Sequence, residues 1–147
     1  MILPDLKIKK MVETGELIIS PFKIECLNPA GYDLCSSIDL LINPKEQKLI
    51  STLERIELPA NIAGFLHLRS SFIREGLIAG LALVDPGFKG QLTVSLFNTS
   101  LNEIKISQGE PFLQITFIQL QEKAEKPYSG KYQNSKGIMK SLRHEKT

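Results

Sequence analysis

The chain has 147 residues, and 18 lysines and arginines against 16 aspartates and glutamates leave a formal charge of +2. That balance excludes a globally basic nucleic-acid binder, and the length is that of one domain. With 42% apolar and 23% charged residues, disorder, collagen-like repeats and disulfide scaffolds are also excluded, and one core burying roughly 70% of the unfolded surface is expected.

The opening Pro4-Asp5-Leu6-Lys7-Ile8-Lys9-Lys10-Met11-Val12-Glu13-Thr14-Gly15 carries a proline at its start and a glycine at its end, which predicts one short helix, the only substantial one. No basic segment followed by an apolar one precedes it, so a cytoplasmic location is expected. From Glu16 the pattern shortens to period two or to brief apolar runs. These are Leu17 to Ile19, Tyr32 to Ile42, Leu49 to Ile56, Phe65 to Leu68, Leu92 to Phe97, Ile104 to Ile106 and Phe112 to Leu120. Turn residues separate them at Asn28-Pro29-Ala30-Gly31, Asn43-Pro44-Lys45, Asp85-Pro86-Gly87 and Gln108-Gly109. Short strands so spaced predict an all-β sandwich, jelly roll or barrel-like fold. No apolar run reaches the ~18 residues of a membrane helix; the run from Gly76 to Val84 stops at Asp85. Cys26 and Cys35 are expected to be reduced thiols, and their spacing fits no common metal motif. The β domain is expected over residues 1–124. Residues 125–147 hold lysines, glycines and little apolar material, and read as a mobile tail that is disordered or ordered by what it binds.

Several constellations can carry chemistry. Arg69-Ser70-Ser71 with Arg74 suits phosphate, because guanidinium forks match phosphate oxygens and hydroxyls add donors. The alternative is a helix N-cap by Ser70 or Ser71 with arginines in surface ion pairs. Asp85 ends an apolar run before Pro86 and Gly87, the position of a fixed general base, with Phe88 offering a flat apolar face; Asp-Pro-Gly is equally a plain turn. Asp33 lies between apolar neighbours, where a carboxylate needs a partner such as a salt bridge or water-held magnesium. Gln114 can present an amide to a base or phosphate, or pair with backbone. Tyr128, Lys131 and Gln133 belong to a stretch able to close over a polyanion, or to a solvated tail. His67, in an apolar run, reads as a packed strand residue. With no Cys/His cluster, a zinc deaminase is disfavoured.

The order of these elements is more telling than any one. Ala30-Gly31-Tyr32-Asp33-Leu34, Arg69-Ser70-Ser71, Val84-Asp85-Pro86-Gly87-Phe88-Lys89-Gly90 with Asn98, Gly109 to Gln114, and the Tyr128 to Gly137 tail together resemble the motif series of the dUTPase and dCTP deaminase superfamily. Arg-Ser-Ser-x-x-Arg, Asp-Pro-Gly-Phe and Pro-Tyr-x-Gly-Lys-Tyr-Gln are similar to its deaminase-like branch, which also contains archaeal-type dUTPases. The zinc-independent deaminases place a glutamate on the strand after the Asp-Pro-Gly turn to move protons at the cytosine amine. Ser95 stands there instead, and a hydroxyl cannot replace a carboxylate as acid and base near neutral pH. A further departure is Ser135, where the deaminase-like tail usually has glutamine.

The resemblance implies a distorted jelly roll acting as a homotrimer with sites at subunit interfaces. It implies magnesium-dependent cleavage of dUTP to dUMP and pyrophosphate, which keeps uracil out of DNA. On the matching positions, Asp85 orients the attacking water and Asp33 holds magnesium through water. Arg69, Ser70, Ser71, Arg74 and Gln114 bind phosphates. Phe88 lies under the deoxyribose, and backbone groups of Thr93, Val94 and Ser95 read the base. Tyr128, Lys131 and Gln133 belong to the closing tail. The alternatives are dCTP deamination, alone or coupled to hydrolysis, and a non-catalytic nucleotide- or protein-binding jelly-roll module.

Overall fold

The structure, a computed structural model, describes residues 1–146; Thr147, the end of the expected tail, lies outside them. The first helix, α1 (Asp5–Thr14), buries Ile8 and Met11, three apart and so on one face, and ends at Gly15 in the left-handed region, as the opening segment predicts. The strands follow as β1 (Ile18–Ser20), β2 (Leu27–Asn28), β3 (Gly31–Cys35), β4 (Leu40–Ile42), β5 (Gln47–Glu57) and β6 (Ile62–Leu68). After a second helix, α2 (Ser70–Glu75), come β7 (Leu77–Gly80), β8 (Lys89–Asn98), β9 (Ile104–Ile106) and β10 (Pro111–Gln119). Two strands go beyond the sequence pattern: β2 is too short to show a period, and β7 is an edge strand with Ile78 exposed.

The strands form three antiparallel sheets, ordered β1-β5-β8-β7, β2-β3-β10-β6 and β4-β9, with no closed barrel among the described residues. This is the jelly-roll-like all-β architecture expected. One core draws on all three sheets: Ile50 and Leu96 from the first, Leu34 and Phe117 from the second, Ile42 and Ile106 from the third. Each such fully buried side chain contributes about 1.5–3 kcal/mol. Cys26 and Cys35 are free and buried, and burial pushes the Cys35 thiol up to about 12.

Two departures from regular sheet position the site. β8 alternates strictly, burying Leu92, Val94 and Leu96 while Gln91, Thr93 and Ser95 face outward and half-exposed. Opposite it, β5 shifts register between Ser51 and Arg55. Gln91 Nε2 fills the irregularity by donating to the Thr52 and Leu53 carbonyls at 3.0 and 3.1 Å. The same bulge turns Glu54 inward, where both carboxylate oxygens accept the Cys35 N–H, at 2.9 and 3.1 Å. Burial raises the Glu54 pKa above the usual carboxylate value.

Candidate active site

One group of expected residues gathers on the β3-β10-β6 sheet. Register places Asp33 opposite Gln114, and Gln114 opposite His67, so the three share a face across adjacent strands. Asp33 is buried, and its two oxygens meet separate partners: Oδ1 accepts from Asn28 Nδ2 at 2.7 Å, and Oδ2 forms an ion pair with Arg69 Nε at 3.5 Å. Those partners answer the desolvation cost that a lone carboxylate carries there. Arg69 is anchored by its own N–H to the Phe112 carbonyl at 3.0 Å, which leaves its guanidinium at the rim of the sheet. Arg74, one turn along α2, donates to Ser70 Oγ at 3.2 Å, and Ser71 is exposed beside it.

Two expectations are corrected here. Arg69, not Ser70 or Ser71, occupies the N-cap of α2, and no side chain caps that helix, so the serine hydroxyls do not cap it. His67 is exposed, not packed: with Phe65 it points to the outward face of β6, while Gly64 and Leu68 on the other face are buried.

A second group surrounds the Asp85 turn and β8. Phe88 N donates to the Asp85 carbonyl at 3.1 Å, Gly87 N to Leu58 O at 3.1 Å, and Leu58 N back to Phe88 O at 2.9 Å. Gly87 adopts φ +88, where a Cβ would meet Pro127 at 2.6 Å. Held by this frame, the Asp85 side chain stands exposed, with no hydrogen-bond or ion-pair partner among the described residues. Phe88 is buried, its ring 5.7 Å from that of Tyr128 at 60°. Both line a cavity of about 200 Å³ together with Asp85 and Thr93. Beside it, a cavity of about 350 Å³ is lined by Thr93, Val94 and Ser95 and roofed by tail residues Tyr132, Met139 and Ser141. Since the Val94 side chain is buried, only its backbone is available to a ligand.

Over its described residues, the segment beyond Lys123 has no helix or strand but is laid along β8 by a series of bonds. Tyr128 N donates to Pro86 O at 2.8 Å, Asn134 N to Lys89 O at 2.7 Å, and Gln91 N to Ser135 O at 2.9 Å. Farther along, Gly137 N reaches Gln91 Oε1 at 2.5 Å and Met139 N reaches Thr93 Oγ1 at 3.0 Å. Gly90 permits this approach: at φ +146 its backbone comes so near that a Cβ would lie 2.8 Å from Ser135 N. Gln133 is fully engaged, donating to Gly87 O at 2.9 Å and accepting from Lys89 N at 2.8 Å. Lys131 turns its ammonium to the tail's own carbonyls at Leu142 and Glu145.

The two groups do not line one cavity within the chain. The cavity that Asp85 lines contains none of Asp33, Arg69, Arg74 or Gln114. Lining or latching residues outside the motif series include Gln91, Met139 and Ser141. Gln91 had a visible signal, its place in the outward alternation with Thr93 and Ser95; the others depend on cross-strand or tail contacts that have no local pattern.

Residues 36–120 match the family model for dCTP deaminase-like proteins. Over 97% of this chain and 99% of the relative, the sequence is 44% identical to a protein of Thermococcus kodakarensis named dCTP deaminase. Over 94% of this chain and 96% of the relative, it is 36% identical to a protein of Sulfolobus islandicus rod-shaped virus 1 named probable deoxyuridine 5'-triphosphate nucleotidohydrolase. Among solved structures, the fold superposes on the EIAV dUTPase with a TM-score of 0.61 and 27% identity, covering 78% of this chain and 98% of that one.

Proposed function

The chain belongs to the dCTP deaminase-like family, and on that premise we propose that it hydrolyses dUTP to dUMP and pyrophosphate with magnesium. The observation that carries this reading is the lining of the 350 Å³ cavity, which includes Phe88, Gln91, Thr93, Ser95 and Tyr132 but no Asp, Glu or His. Deamination needs a group that both gives and takes a proton beside the base amine, and neither a serine nor an amide does so near neutral pH. The carboxylate that is available, Asp85, lines the neighbouring cavity, and in this reading that cavity takes the sugar and α-phosphate.

In this reading the base lies against the backbone of Thr93 to Ser95, and Phe88 packs under the deoxyribose, leaving no room for a 2′-hydroxyl. Asp85 orients a water for in-line attack and takes its proton. The water oxygen bonds to the α-phosphorus, the bond to the α-β bridging oxygen breaks, and pyrophosphate leaves. Arg69, Ser70, Ser71, Arg74 and Gln114 hold phosphate oxygens, the arginines by bidentate geometry. The tail from Tyr128 onward covers the base and keeps bulk water out.

Magnesium fits as a partner of the nucleotide phosphates and not of a protein cage. Among the described residues no cluster of three His, Cys, Asp or Glu exists. Asp33 supplies one carboxylate with lone pairs left beyond Asn28 and Arg69, which suits a hydrated ion held through water. When bound, the ion neutralises charge on the departing phosphates.

That the cavity lined by Asp85 includes none of Asp33, Arg69, Arg74 or Gln114 supports a site completed by a second copy, and a homotrimer is the assembly we propose. Phe65, Ile73, Ile78 and Leu83 are all about half exposed, an apolar surface that self-association would cover. A cytoplasmic location is part of this proposal; among the described residues no helix is long and apolar enough to cross a membrane.

The name of the Thermococcus kodakarensis relative favours a second reading, deamination of dCTP alone or coupled to hydrolysis. One experiment separates them: the protein is incubated with dUTP or dCTP and magnesium, and pyrophosphate and ammonia are measured. Pyrophosphate from dUTP without ammonia from dCTP is expected. Ammonia from dCTP favours the second reading, and intact nucleotide in both tubes favours a binding module.

A further inference from the structure

Ser95 is held by a residue of the neighbouring strand. Gln47 pairs in register with Phe97 and Leu49 with Ser95, so Gln47 lies diagonally beside Ser95 on the same face. Gln47 Nε2 donates to Ser95 Oγ at 2.7 Å. An amide nitrogen is a donor only, whereas a hydroxyl has one hydrogen and two lone pairs. The contact therefore uses one Ser95 lone pair and leaves its hydrogen, which has no acceptor among the described residues. The other β8 hydroxyl in the cavity is committed: Thr93 Oγ1 accepts from Met139 N at 3.0 Å and donates to Gly137 O at 3.4 Å. Ser135 Oγ likewise donates to Tyr132 O at 2.5 Å.

We propose that Gln47 sets the hydrogen-bond polarity of Ser95, making it a donor to the ligand and a specificity determinant for a pyrimidine with a carbonyl at C4 over one with an amine. The inference rests on the reading that the base occupies this cavity. A uracil O4 accepts the free Ser95 hydrogen. A cytosine N4 amine can use only the second Ser95 lone pair, and the serine hydrogen then stays unpaired beneath the base that covers it, a penalty that lowers affinity about tenfold. Gln47 acts through Ser95 and does not itself line the cavity, so it is a positioning residue.

The test uses the full chain and non-hydrolysable α,β-imido analogues of dUTP and dCTP, with affinities measured by calorimetry. The readout is the ratio of the two constants, in which general effects on triphosphate binding cancel. Gln47→Glu, which only accepts, should turn the Ser95 hydrogen away and lower the preference for the uracil analogue about tenfold. Gln47→Lys, which only donates, should keep the preference. In Ser95→Ala the ratio should no longer respond to Gln47→Glu. An unchanged ratio in Gln47→Glu, or an equal fall in Gln47→Lys, overturns the assignment. Failure of both analogues to bind the unmodified protein overturns the nucleotide reading itself, and the inference with it.

Discussion

Gln91 Oε1 accepts the Gly137 N–H at 2.5 Å, while the other end of the same amide donates to the Thr52 and Leu53 carbonyls. Three bonds fix one side chain, so a single neutral group joins the β5 bulge to the tail that roofs the 350 Å³ cavity. Gln91→Met keeps the length but removes all three bonds, leaving two carbonyls in want of donors. We expect a loss of about 1–3 kcal/mol in denaturant unfolding and a rise in amide exchange at Gly137 and Met139 of at least tenfold. Exchange that stays as slow as in the parent would show that Gln91 does not seat the tail.

The Asp33 to Arg69 contact has a different consequence. Arg69 is substantially exposed, so the pair itself is worth little to stability in water. Its value lies in aligning the guanidinium beside the face where Gln114 and Ser70 stand. Arg69→Ala should change the unfolding midpoint only slightly but raise KM for dUTP by roughly tenfold to a hundredfold, with a smaller effect on kcat. A large loss of stability with an unchanged KM would make the residue structural.

Glu54 yields a pH signature. Burial raises its pKa in the folded protein, so between the ordinary carboxylate value and the raised one the folded state holds a proton that the unfolded state has released. Stability from this group is therefore complete below the unfolded pKa and declines as pH rises through the folded pKa. Glutamine cannot ionise and shows no such decline. The difference in unfolding midpoint between Glu54→Gln and the parent should shift in favour of the variant from pH 4 to pH 8. A constant offset over that range would mean that Glu54 does not titrate within it.

How far the site was legible follows from which interactions are local. The Gln91, Thr93 and Ser95 face of β8 is visible because period two survives as a strand. The Asp85 turn is visible because proline and glycine mark it. Asp33 could be read as needing a partner, yet the choice of Asn28 and Arg69 depends on how β2 and α2 meet β3. The contact of Gln47 with Ser95 depends on which strand pairs with β8 and in what register, and the inward turn of Glu54 on the register shift between Ser51 and Arg55; both are non-local and have no sequence period. The exposure of His67 follows from its place with Phe65 on the outward face of β6, which an apolar run does not reveal. The seat of the tail is set by the bare backbone at Gly90, and its composition alone speaks only for mobility.

The absence of Arg69 from the cavity that Asp85 lines allows a test that needs no partner structure. If each site joins the phosphate-binding face of one copy to the Asp85 turn of another, Asp85→Asn and Arg69→Ala chains are each deficient but spoil different halves. Unfolded together in equal amounts and refolded, they should assort at random in a symmetric assembly. About a quarter of the sites then combine an intact face from an Asp85→Asn chain with an intact turn from an Arg69→Ala chain, so about a quarter of the parent's dUTP turnover should return. Mixing without unfolding should restore nothing until subunits exchange. If each chain built a whole site, no mixture would exceed the average of the two variants, and the shared-site arrangement would be wrong.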